Sequence, residues 1–278
     1  MSATSQIWID GVSAESLPLP DRGLEFGDGL FETLLSMHGQ VPLLESHFER
    51  LKQGLHRLGF PDCAERARQC LQAALPALSN SAFTAIRLTV TRGSGPRGYV
   101  PPDPCEPRII ISSTDVARNA AVPLPQLSVV PAPLALANQP ALAGIKHLNR
   151  LEQVLAARHA RAEGADDALM LNERGEPVCM ASSNLFAVVA GTILTPPLAT
   201  AGIAGTRRRA LIERWAPDLG LAVEERFFSL GTLNVASEVF CSNSLVGLRP
   251  VGQFGSRTWS SHPVMAALFE RYRAELPA

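Results

Sequence analysis

The chain has 278 residues, of which 46% are apolar and 18% are charged, and its formal net charge is −1. A chain of this length and composition can bury the core of one large domain or of two ordinary domains, which excludes a disordered protein. Because basic and acidic residues are intermixed and nearly equal in number, the charge pattern argues against a nucleic-acid-binding protein and against binding to an anionic membrane surface.

Several other classes of protein are excluded by spacing. The five cysteines lie far apart and contain no CxxC pair, which argues against a disulfide framework or a structural zinc site and favours a reducing cytoplasm. His47 and His56 are not spaced as metal ligands, and no G-x-S-x-G elbow occurs. The first ten residues lack the basic and apolar regions of a signal peptide. The longest uncharged stretch, residues 119–145, contains five prolines, so we interpret it as linker and strand, not as a membrane span.

The N-terminal part begins with short strands. Residues 7–11 predict a strand that ends in a turn, and residues 21–33 predict a glycine-rich loop entering a strand. Its glycines do not have the spacing of a P-loop or a dinucleotide site. The pattern then predicts a hairpin, in which a turn at residues 38–40 joins strands at 31–37 and 41–43.

Apolar residues at helical spacing predict the next helix. They recur at intervals of four and three residues, at Leu44, Phe48, Leu51, Leu55 and Leu58. Gly59 suits the end of this helix. A second helix is predicted at 63–75, strands at 84–91 and 108–113, and an irregular loop at 92–99. We place the end of this first domain at residue 115.

A proline-rich linker, residues 116–126, leads to a predicted second domain, residues 127–278. Its first helix has an apolar face formed by positions 148, 151, 155, 159 and 162 and ends at Gly164. Two further helices are predicted at 206–215 and 263–273. Short strands suggest a curved, barrel-like sheet, and they fall at 127–131, 168–171, 178–180, 185–189, 192–195, 221–227 and 238–241, followed by a polar turn at 242–244.

The first candidate for chemistry is Lys146. The chain has only two lysines, Lys52 and Lys146, beside 23 arginines. A lysine amine attacks carbonyl groups and holds pyridoxal phosphate covalently. The simpler alternative is a solvated lysine at a helix N-terminus, where the helix dipole is slightly unfavourable to it. The residue pattern alone leaves both interpretations open.

Pyridoxal phosphate also needs a phosphate site. A predicted helix start at Gly205, Thr206 and Arg207 would offer backbone N–H groups, and Ser244 lies in a predicted polar turn. Arg50 flanks the first helix and has a planar group that suits a phosphate. Each of these also fits a plain cap, a turn or a solvated helix flank.

Several runs of sequence resemble those of a known enzyme family. The most specific is Gly-Ile-Lys-His-Leu-Asn-Arg-Leu-Glu-Gln-Val at 144–154, and others lie at 26–31, 47–51, 92–99, 183–186 and 202–205. They resemble the fold-type IV pyridoxal-phosphate enzymes, which include aminodeoxychorismate lyases and the branched-chain and D-amino acid aminotransferases. The Lys-His-x-Asn-Arg run and the Arg-Gly-Ser-Gly-x-Arg-Gly-Tyr run are similar to the lyases in particular.

The resemblance implies an α+β fold of two domains, a smaller N-terminal α/β domain and a C-terminal barrel-like domain that carries the cofactor lysine, with the cofactor between them. It implies that Lys146 is the catalytic, cofactor-binding lysine. It also implies a homodimer. The residues implied to bind the cofactor phosphate are Arg50, Gly205, Thr206, Arg207 and Ser244, and those implied to contact the substrate are Arg97, Phe31 and Asn149.

One position departs from the family. The family usually has a glutamate opposite the pyridine nitrogen, in a Thr-Glu-x-x-x-x-Asn pattern, and this chain has Cys179 there, five residues before Asn184. Glu176 lies at an odd offset along the strand, so it should face the other side. A thiol would leave the ring nitrogen mostly neutral and the cofactor a weaker electron sink.

The implied function is lysis of 4-amino-4-deoxychorismate to 4-aminobenzoate and pyruvate. We expect a cytoplasmic enzyme that acts on this small molecule and has no nucleic-acid, membrane or metal partner. The alternatives are a D-amino acid or branched-chain aminotransferase and a degenerate homologue that binds the cofactor without turnover. Cys179 mildly disfavours the aminotransferase, because transamination depends more strongly on the electron sink.

Overall fold

The computed structural model describes residues 5–78 and 81–277, and these residues fold into two compact units. Unit 1 contains the described residues up to Asn119, the segment Ile145–Asn149 and Pro277, and unit 2 contains Ala120–Gly144 and Arg150–Leu276. Helices and strands are mixed in the chain, which confirms the expected α+β class. The division differs from the expected domains. The two units meet at Asn119 and Ala120, and Ile145–Asn149, the lysine segment, belongs to unit 1 and not to the domain that follows residue 127.

Within the described residues, unit 1 is built on a five-stranded antiparallel sheet of order β2-β1-β5-β4-β3. Its strands are β1 (Ser5–Ile9), β2 (Val12–Ser13), β3 (Gly29–Met37), β4 (Phe83–Thr91) and β5 (Arg108–Asp115). The outer edge of β3 pairs with the lysine segment through an antiparallel bridge between Leu30 and His147. This pairing is the physical reason that the segment belongs to unit 1.

The helices of unit 1 are α1 (Arg22–Phe26), α2 (Leu44–Arg57) and α3 (Ala64–Leu78). The predicted apolar face of α2 is confirmed, because Phe48, Leu51 and Leu55 are buried. The predicted glycine-rich loop contains α1, which the sequence pattern did not reveal. The Asp21 side chain caps α1 by accepting a hydrogen bond from the N–H of Gly23 at 2.9 Å.

The predicted hairpin at residues 31–43 is correct at its turn, where Met37 and Gln40 form an antiparallel bridge, and wrong in its second strand. β3 pairs along its whole length with β4, from Gly29 opposite Thr91 to Met37 opposite Phe83. Residues 41–43 lie outside any strand and lead into α2 through Leu43, which has a φ of 56°. β4 therefore lies along one edge of β3, while the other edge pairs only with the lysine segment at Leu30 and with Gln40 at Met37 in the described chain.

The described part of unit 2 contains a sheet of order β11-β10-β9-β12-β13-β6-β7-β8, with β14 paired to β13. β8 also pairs with β9, which closes part of the sheet into the expected barrel-like ring. Its strands are β6 (Leu127–Leu136), β7 (Asp167–Asn172), β8 (Pro177–Met180), β9 (Asn184–Val189), β10 (Thr192–Thr195), β11 (Val223–Glu225), β12 (Glu238–Asn243), β13 (Gly247–Phe254) and β14 (Arg257–Thr258).

The helices of unit 2 are α4 (Leu151–Ala162), α5 (Thr206–Ala210), α6 (Leu230–Val235) and α7 (Pro263–Ala274). The predicted apolar face of α4 is wrong, because Leu151 is 77% exposed and Leu155 is 43% exposed. The buried face consists of Ala156 and Ala160, which pack in a cluster with residues of β7. Small side chains let the helix approach the sheet closely, so the larger leucines are left on the outer face.

The last predicted helix before residue 216 is divided into α5 and a following wide π-type turn, Leu211–Trp215. The predicted strand at 221–227 is shorter than expected, since only Val223–Glu225 pair. β13 was not predicted, because two glycines and a proline interrupt its apolar pattern. None of the described helices combines the length and the apolar character that a membrane span would require.

Candidate active site

Lys146 lies on a short extended segment that adds to the outer edge of β3. The N–H of Phe31 donates to the carbonyl of Lys146 at 2.8 Å, and the N–H of Leu148 donates to the carbonyl of Gly29 at 3.0 Å. These bonds fix the backbone on both sides of the lysine. Since α4 begins only at Leu151, the interpretation of Lys146 as a residue of a helix N-terminus is not supported.

The side chain of Lys146 lies against the ring of Phe31. Its Nζ is 4.3 Å from the ring centroid, and the guanidinium carbon of Arg87 is 3.8 Å from the same centroid. A cation over an aromatic face is attracted by the negative face of the π-system. Unit 1 therefore brings together two residues that the sequence predicted for the site, the cofactor lysine and an aromatic substrate contact.

A buried ion cluster joins α2 to β3 and contains a third predicted residue, Arg50. Its Nε donates to Oε1 of Glu32 at 2.8 Å, its Nη2 bonds to Oε2, and Nδ1 of His47 lies 2.7 Å from Oε2. Burial alone would raise the pKa of Glu32, but the charge and hydrogen bonds of Arg50, together with His47, lower it from 4.5 to about 2. The ionised carboxylate therefore holds the guanidinium of Arg50 in one orientation.

Glu32, which holds the predicted site residue Arg50, was missed by the sequence prediction. It is the single acidic residue of β3, and the remaining positions of this strand are apolar or hydroxyl-bearing, apart from Gly29. A lone carboxylate in such a strand is rarely buried without a partner, and this was the available signal.

In unit 2, the backbone of Gly205 packs tightly against Asn184. Asn184 Nδ2 donates to the carbonyl of Ile203 at 2.9 Å, and a Cβ at position 205 would lie 1.9 Å from Asn184 Oδ1. Thr206 and Arg207 follow as the buried first residues of α5. The helix start is thus held in place, and its backbone N–H groups are of the kind that bind phosphate groups.

The C-terminal end of β12 is linked to the same position. Ser242 lies opposite Asn184 in the pairing of β12 with β9. Its Oγ is buried and makes no hydrogen bond to any residue in the described part of the chain. Asn243 accepts two backbone N–H bonds from the following turn, which fixes the turn that contains Ser244. Through Asn184, unit 2 therefore connects the two segments that were predicted to bind phosphate.

Cys179 lies on β8 in an apolar cluster with Ala156 and Ala160 of α4. Burial raises the pKa of its thiol to about 12, so this side chain is neutral at neutral pH. Glu176, which was rejected as a replacement, lies in the turn before β8 and accepts a hydrogen bond from Nδ2 of Asn172 at 2.8 Å. The proposed contact of Cys179 with a cofactor stays a prediction.

The two remaining predicted residues have different surroundings. Arg97 is exposed in the loop between β4 and β5, and within residues 5–78 and 81–277 it has no hydrogen-bond or ion-pair partner. Asn149 packs on Gly27, since its Nδ2 donates to the carbonyl of Gly27 at 3.4 Å and a Cβ on Gly27 would lie 2.5 Å from its Oδ1. Asn149 thus has a structural contact in unit 1, and its contact with a substrate stays a prediction.

Each unit presents groups with its own binding chemistry. Unit 1 presents a lysine amine and guanidinium groups, and unit 2 presents backbone N–H groups at a helix start and serine hydroxyls. In the portion of the chain that the structure describes, no group of three or more His, Cys, Asp or Glu side chains is arranged to hold a metal ion. An amine that attacks carbonyls, together with donors for an anion, suits a phosphorylated aldehyde.

Comparison with known proteins assigns the family. Residues 29–254 match the sequence model of the amino-transferase class IV family, and the chain belongs to this family, whose fold is fold-type IV. This finding confirms the resemblance that was based on the lysine segment and its neighbours.

Individual relatives include both lyases and aminotransferases. The chain is 34% identical to an aminodeoxychorismate lyase of Vibrio harveyi over 249 residues, which cover 88% of this chain and 89% of the relative. The crystal structure of 4-amino-4-deoxychorismate lyase from Pseudomonas aeruginosa is 39% identical, with a TM-score of 0.87, and the match covers 97% of this chain and 99% of that one. A D-alanine aminotransferase of Listeria monocytogenes is 29% identical over 245 residues, which cover 85% of this chain and 81% of the relative.

Proposed function

We propose that this protein is a pyridoxal-phosphate-dependent lyase that converts 4-amino-4-deoxychorismate to 4-aminobenzoate and pyruvate in folate biosynthesis. The observation that carries the proposal is the placement of Lys146, whose Nζ lies 4.3 Å from the Phe31 ring on a segment fixed to β3. The support from comparison is the similarity, over almost the whole chain, to the lyases of Vibrio harveyi and Pseudomonas aeruginosa.

The residues present fit pyridoxal phosphate. Lys146 offers the amine that binds the aldehyde carbon, and Arg50, oriented by Glu32, offers a planar cation to the phosphate. The buried Oγ of Ser242, which has no partner among the described residues, marks a polar spot that still needs a ligand. When bound, the cofactor withdraws electrons from the substrate carbon next to nitrogen. The further phosphate donors would be Gly205, Thr206, Arg207 and Ser244.

Lys146 would carry out the proton transfers. The Lys146 amine would act as the base and take the proton from the ring carbon that bears the substrate nitrogen. The electron pair of that C–H bond completes the aromatic ring while the C–O bond to the enolpyruvyl group breaks. The Lys146 ammonium then gives its proton to the methylene carbon of the departing enolpyruvate, which yields pyruvate. No oxidant or amino-group acceptor is consumed.

Substrate recognition needs cations, because the substrate has two carboxylates. Arg97 is exposed, has no partner among the described residues, and carries a planar fork that matches a carboxylate. Phe31 offers a flat apolar surface to the substrate ring, and the amide of Asn149 offers a polar contact next to the lysine. We therefore propose Arg97, Phe31 and Asn149 as substrate contacts.

Cys179 favours the lyase over an aminotransferase. Its buried thiol is neutral, so a ring nitrogen facing it would receive no carboxylate to hold a proton. Aromatisation of the substrate supplies much of the driving force for lysis, and a weaker electron sink then suffices. Transamination has no such help, because the negative charge left by proton removal must be stabilised by the cofactor alone.

The alternative function is that of an aminotransferase. It is supported by the similarity to the Listeria monocytogenes D-alanine aminotransferase. A coupled assay separates the two activities. We expect pyruvate and 4-aminobenzoate to form from 4-amino-4-deoxychorismate without any 2-oxo acid. Turnover that depends on an added 2-oxo acid would overturn the lyase.

The assignment of the lysine is tested by absorption spectra of the purified protein before and after borohydride treatment. The chain offers a matched control, since Lys52 is the only other lysine, is 67% exposed, and pairs with Asp62 at 3.6 Å. We expect the reduced adduct in the wild-type protein and in Lys52→Ala, and none in Lys146→Ala. An adduct in Lys146→Ala would refute the assignment, and cofactor absorbance without turnover would indicate the degenerate homologue.

We also propose a cytoplasmic homodimer. Leu151, Val154 and Leu155 form an exposed apolar stripe on α4, the kind of surface that a protein partner covers. The buried, free thiols in the described chain are consistent with a reducing compartment. Sedimentation of Leu151→Gln/Val154→Gln should show a monomer, whereas Val235→Gln, a change at an isolated exposed valine, should leave the dimer intact. A monomeric wild-type protein would overturn this part of the proposal.

A further inference from the structure

Arg22 is a buried arginine whose donors are directed at the loop that contains Arg97. It is only 2% exposed, and its Nε donates to Oδ2 of Asp28 at 3.0 Å. Its Nη1 donates to the carbonyl of Gly98 at 2.9 Å, and its Nη2 donates to the carbonyl of Tyr99 at 3.0 Å. The guanidinium therefore holds the carbonyls of the two residues that directly follow Arg97.

Residues 93–95, which precede Arg97 in the same loop, also contact Arg22. The backbone N–H of Arg22 donates to the carbonyl of Gly93 at 2.9 Å. A Cβ on Gly95 would lie 2.9 Å from Cδ of Arg22, so the loop backbone packs directly on the arginine stem. Arg97 thus lies between two short segments, residues 93–95 and 98–99, that both contact Arg22.

Asp28 holds a second buried arginine, Arg92, which provides a contrast. The Nε of Arg92 donates to the same Asp28 Oδ2 at 2.8 Å. Its other donors go to the carbonyls of Leu58 at 2.7 Å and Gly59 at 3.1 Å, just after α2. One carboxylate therefore orients two arginines. Arg22 bonds to the two residues that follow Arg97, whereas Arg92, the first residue of the loop, bonds with its side chain to the residues after α2.

We propose that Arg22 is a positioning residue for substrate recognition, which acts by holding the loop so that the exposed Arg97 is presented in one conformation. This inference rests on the proposed function, in which Arg97 binds a substrate carboxylate. An exposed arginine on a free loop loses conformational entropy when it binds, and a loop fixed beforehand reduces that loss. Arg22 therefore contributes to substrate affinity without contacting the substrate.

The holding of the loop by Arg22 is tested by limited trypsin digestion, which needs no substrate. We compare Arg22→Lys with Arg92→Lys, because both keep a positive charge beside Asp28 and both lose the planar fork that reaches two carbonyls. Cleavage after Arg97, identified by mass spectrometry, should be about tenfold faster in Arg22→Lys than in the wild-type protein, because cleavage follows local opening. It should be unchanged in Arg92→Lys. Equal rates of cleavage after Arg97 in the two variants would show that Arg22 does not hold the loop.

The effect on recognition is tested by steady-state lyase kinetics. We expect Arg22→Lys to raise KM about tenfold, equivalent to about 1.4 kcal/mol, with kcat within about twofold of wild type. Arg92→Lys should lower the thermal midpoint without raising KM. In the double variant Arg22→Lys/Arg97→Ala, KM should equal that of Arg97→Ala, because a missing side chain cannot be mispositioned.

The outcomes separate this inference from the proposed function. If Arg97→Ala raises KM and Arg22→Lys does not, Arg22 does not position Arg97 and the inference is overturned. If the wild-type protein shows no lyase turnover, the proposed function fails, and the trypsin comparison still decides whether Arg22 holds the loop. If the two single variants raise KM additively, Arg22 acts independently of Arg97 and the inference is overturned.

Discussion

The two units carry different kinds of predicted site group. In unit 1 three of the predicted residues, Lys146, Arg50 and Arg97, are charged, and Arg50 is held by a buried ion pair with Glu32. In unit 2 the corresponding groups are mostly neutral, namely the backbone at Gly205 and the thiol of Cys179. We therefore expect unit 1 to be sensitive to loss of charge and unit 2 to be sensitive to added volume or added charge.

The largest effect is expected from Glu32→Gln in unit 1. Removal of one partner from a buried ion pair leaves the other charge uncompensated, which costs about 3–5 kcal/mol of unfolding free energy. Glu45→Gln is the matched control, because Glu45 also pairs through both carboxylate oxygens with an arginine, Arg68, but is 74% exposed. Its loss should cost about 0–1 kcal/mol. Equal losses in urea unfolding would contradict the contrast.

The same carboxylate predicts a pH dependence. The pKa of Glu32 is lowered on folding, so its stabilisation is fully present above pH 4.5 and is lost as the pH falls through about 2. The unfolding free energy of the wild-type protein should therefore fall more steeply between these values than that of Glu32→Gln. Urea titrations at a series of pH values measure this, and parallel curves would show that Glu32 is not the responsible group.

A smaller effect is expected from added charge in unit 2. Cys179→Glu and Cys241→Glu each place a carboxyl group where burial now raises the pKa of a thiol to about 12. Each should destabilise the cofactor-free protein by roughly 2–3 kcal/mol. If Cys179 faces the ring nitrogen, pyridoxal phosphate should restore the thermal midpoint of Cys179→Glu but not that of Cys241→Glu. An identical response of both variants would remove Cys179 from the proposed site.

The smallest effect is expected from added volume at the start of α5. Gly205→Ala forces a methyl group onto Asn184, and we expect a loss of about 1–2 kcal/mol together with weaker cofactor binding. Gly231→Ala is the control, since Gly231 lies in α6 and its added Cβ would meet only Oγ of Ser229 at 3.4 Å. It should stabilise the helix by about 0.5–1 kcal/mol. Wild-type cofactor affinity in Gly205→Ala would show that this contact does not shape the phosphate site.

The sequence predicted elements well where one face of an element decides its burial. The leucine stripe of α2 is buried as expected, because this helix packs on a sheet through large side chains. The stripe of α4 has the same spacing and is exposed at Leu151 and Leu155, because Ala156 and Ala160 form the buried face. Periodicity gives the direction of a face, but it does not tell which of two apolar faces meets the sheet.

The candidate site was predictable only in part. Lys146 and Arg50 are predicted from the residue pattern and the resemblance, which depend on local sequence. Glu32 and Arg22 were missed, because their roles depend on partners that are distant in sequence, such as Arg50 at 18 residues and Gly98 at 76 residues. Such partners are brought together only by strand order and helix placement, which no local pattern specifies.

The ring of strands in unit 2 contains one junction with little pairing, between β8 and β9. β8 meets β9 through a single registered pair, Cys179 with Asn184, whereas β9 and β12 share five registered pairs in the described chain. Asn184 also bonds to Ile203, just before α5. Local opening of this junction would therefore disturb the phosphate donors proposed at the start of α5. A cofactor that binds only when β8 and β9 are paired would stabilise this junction by its binding free energy. Cofactor supply would then govern the lifetime of the folded chain as well as its activity.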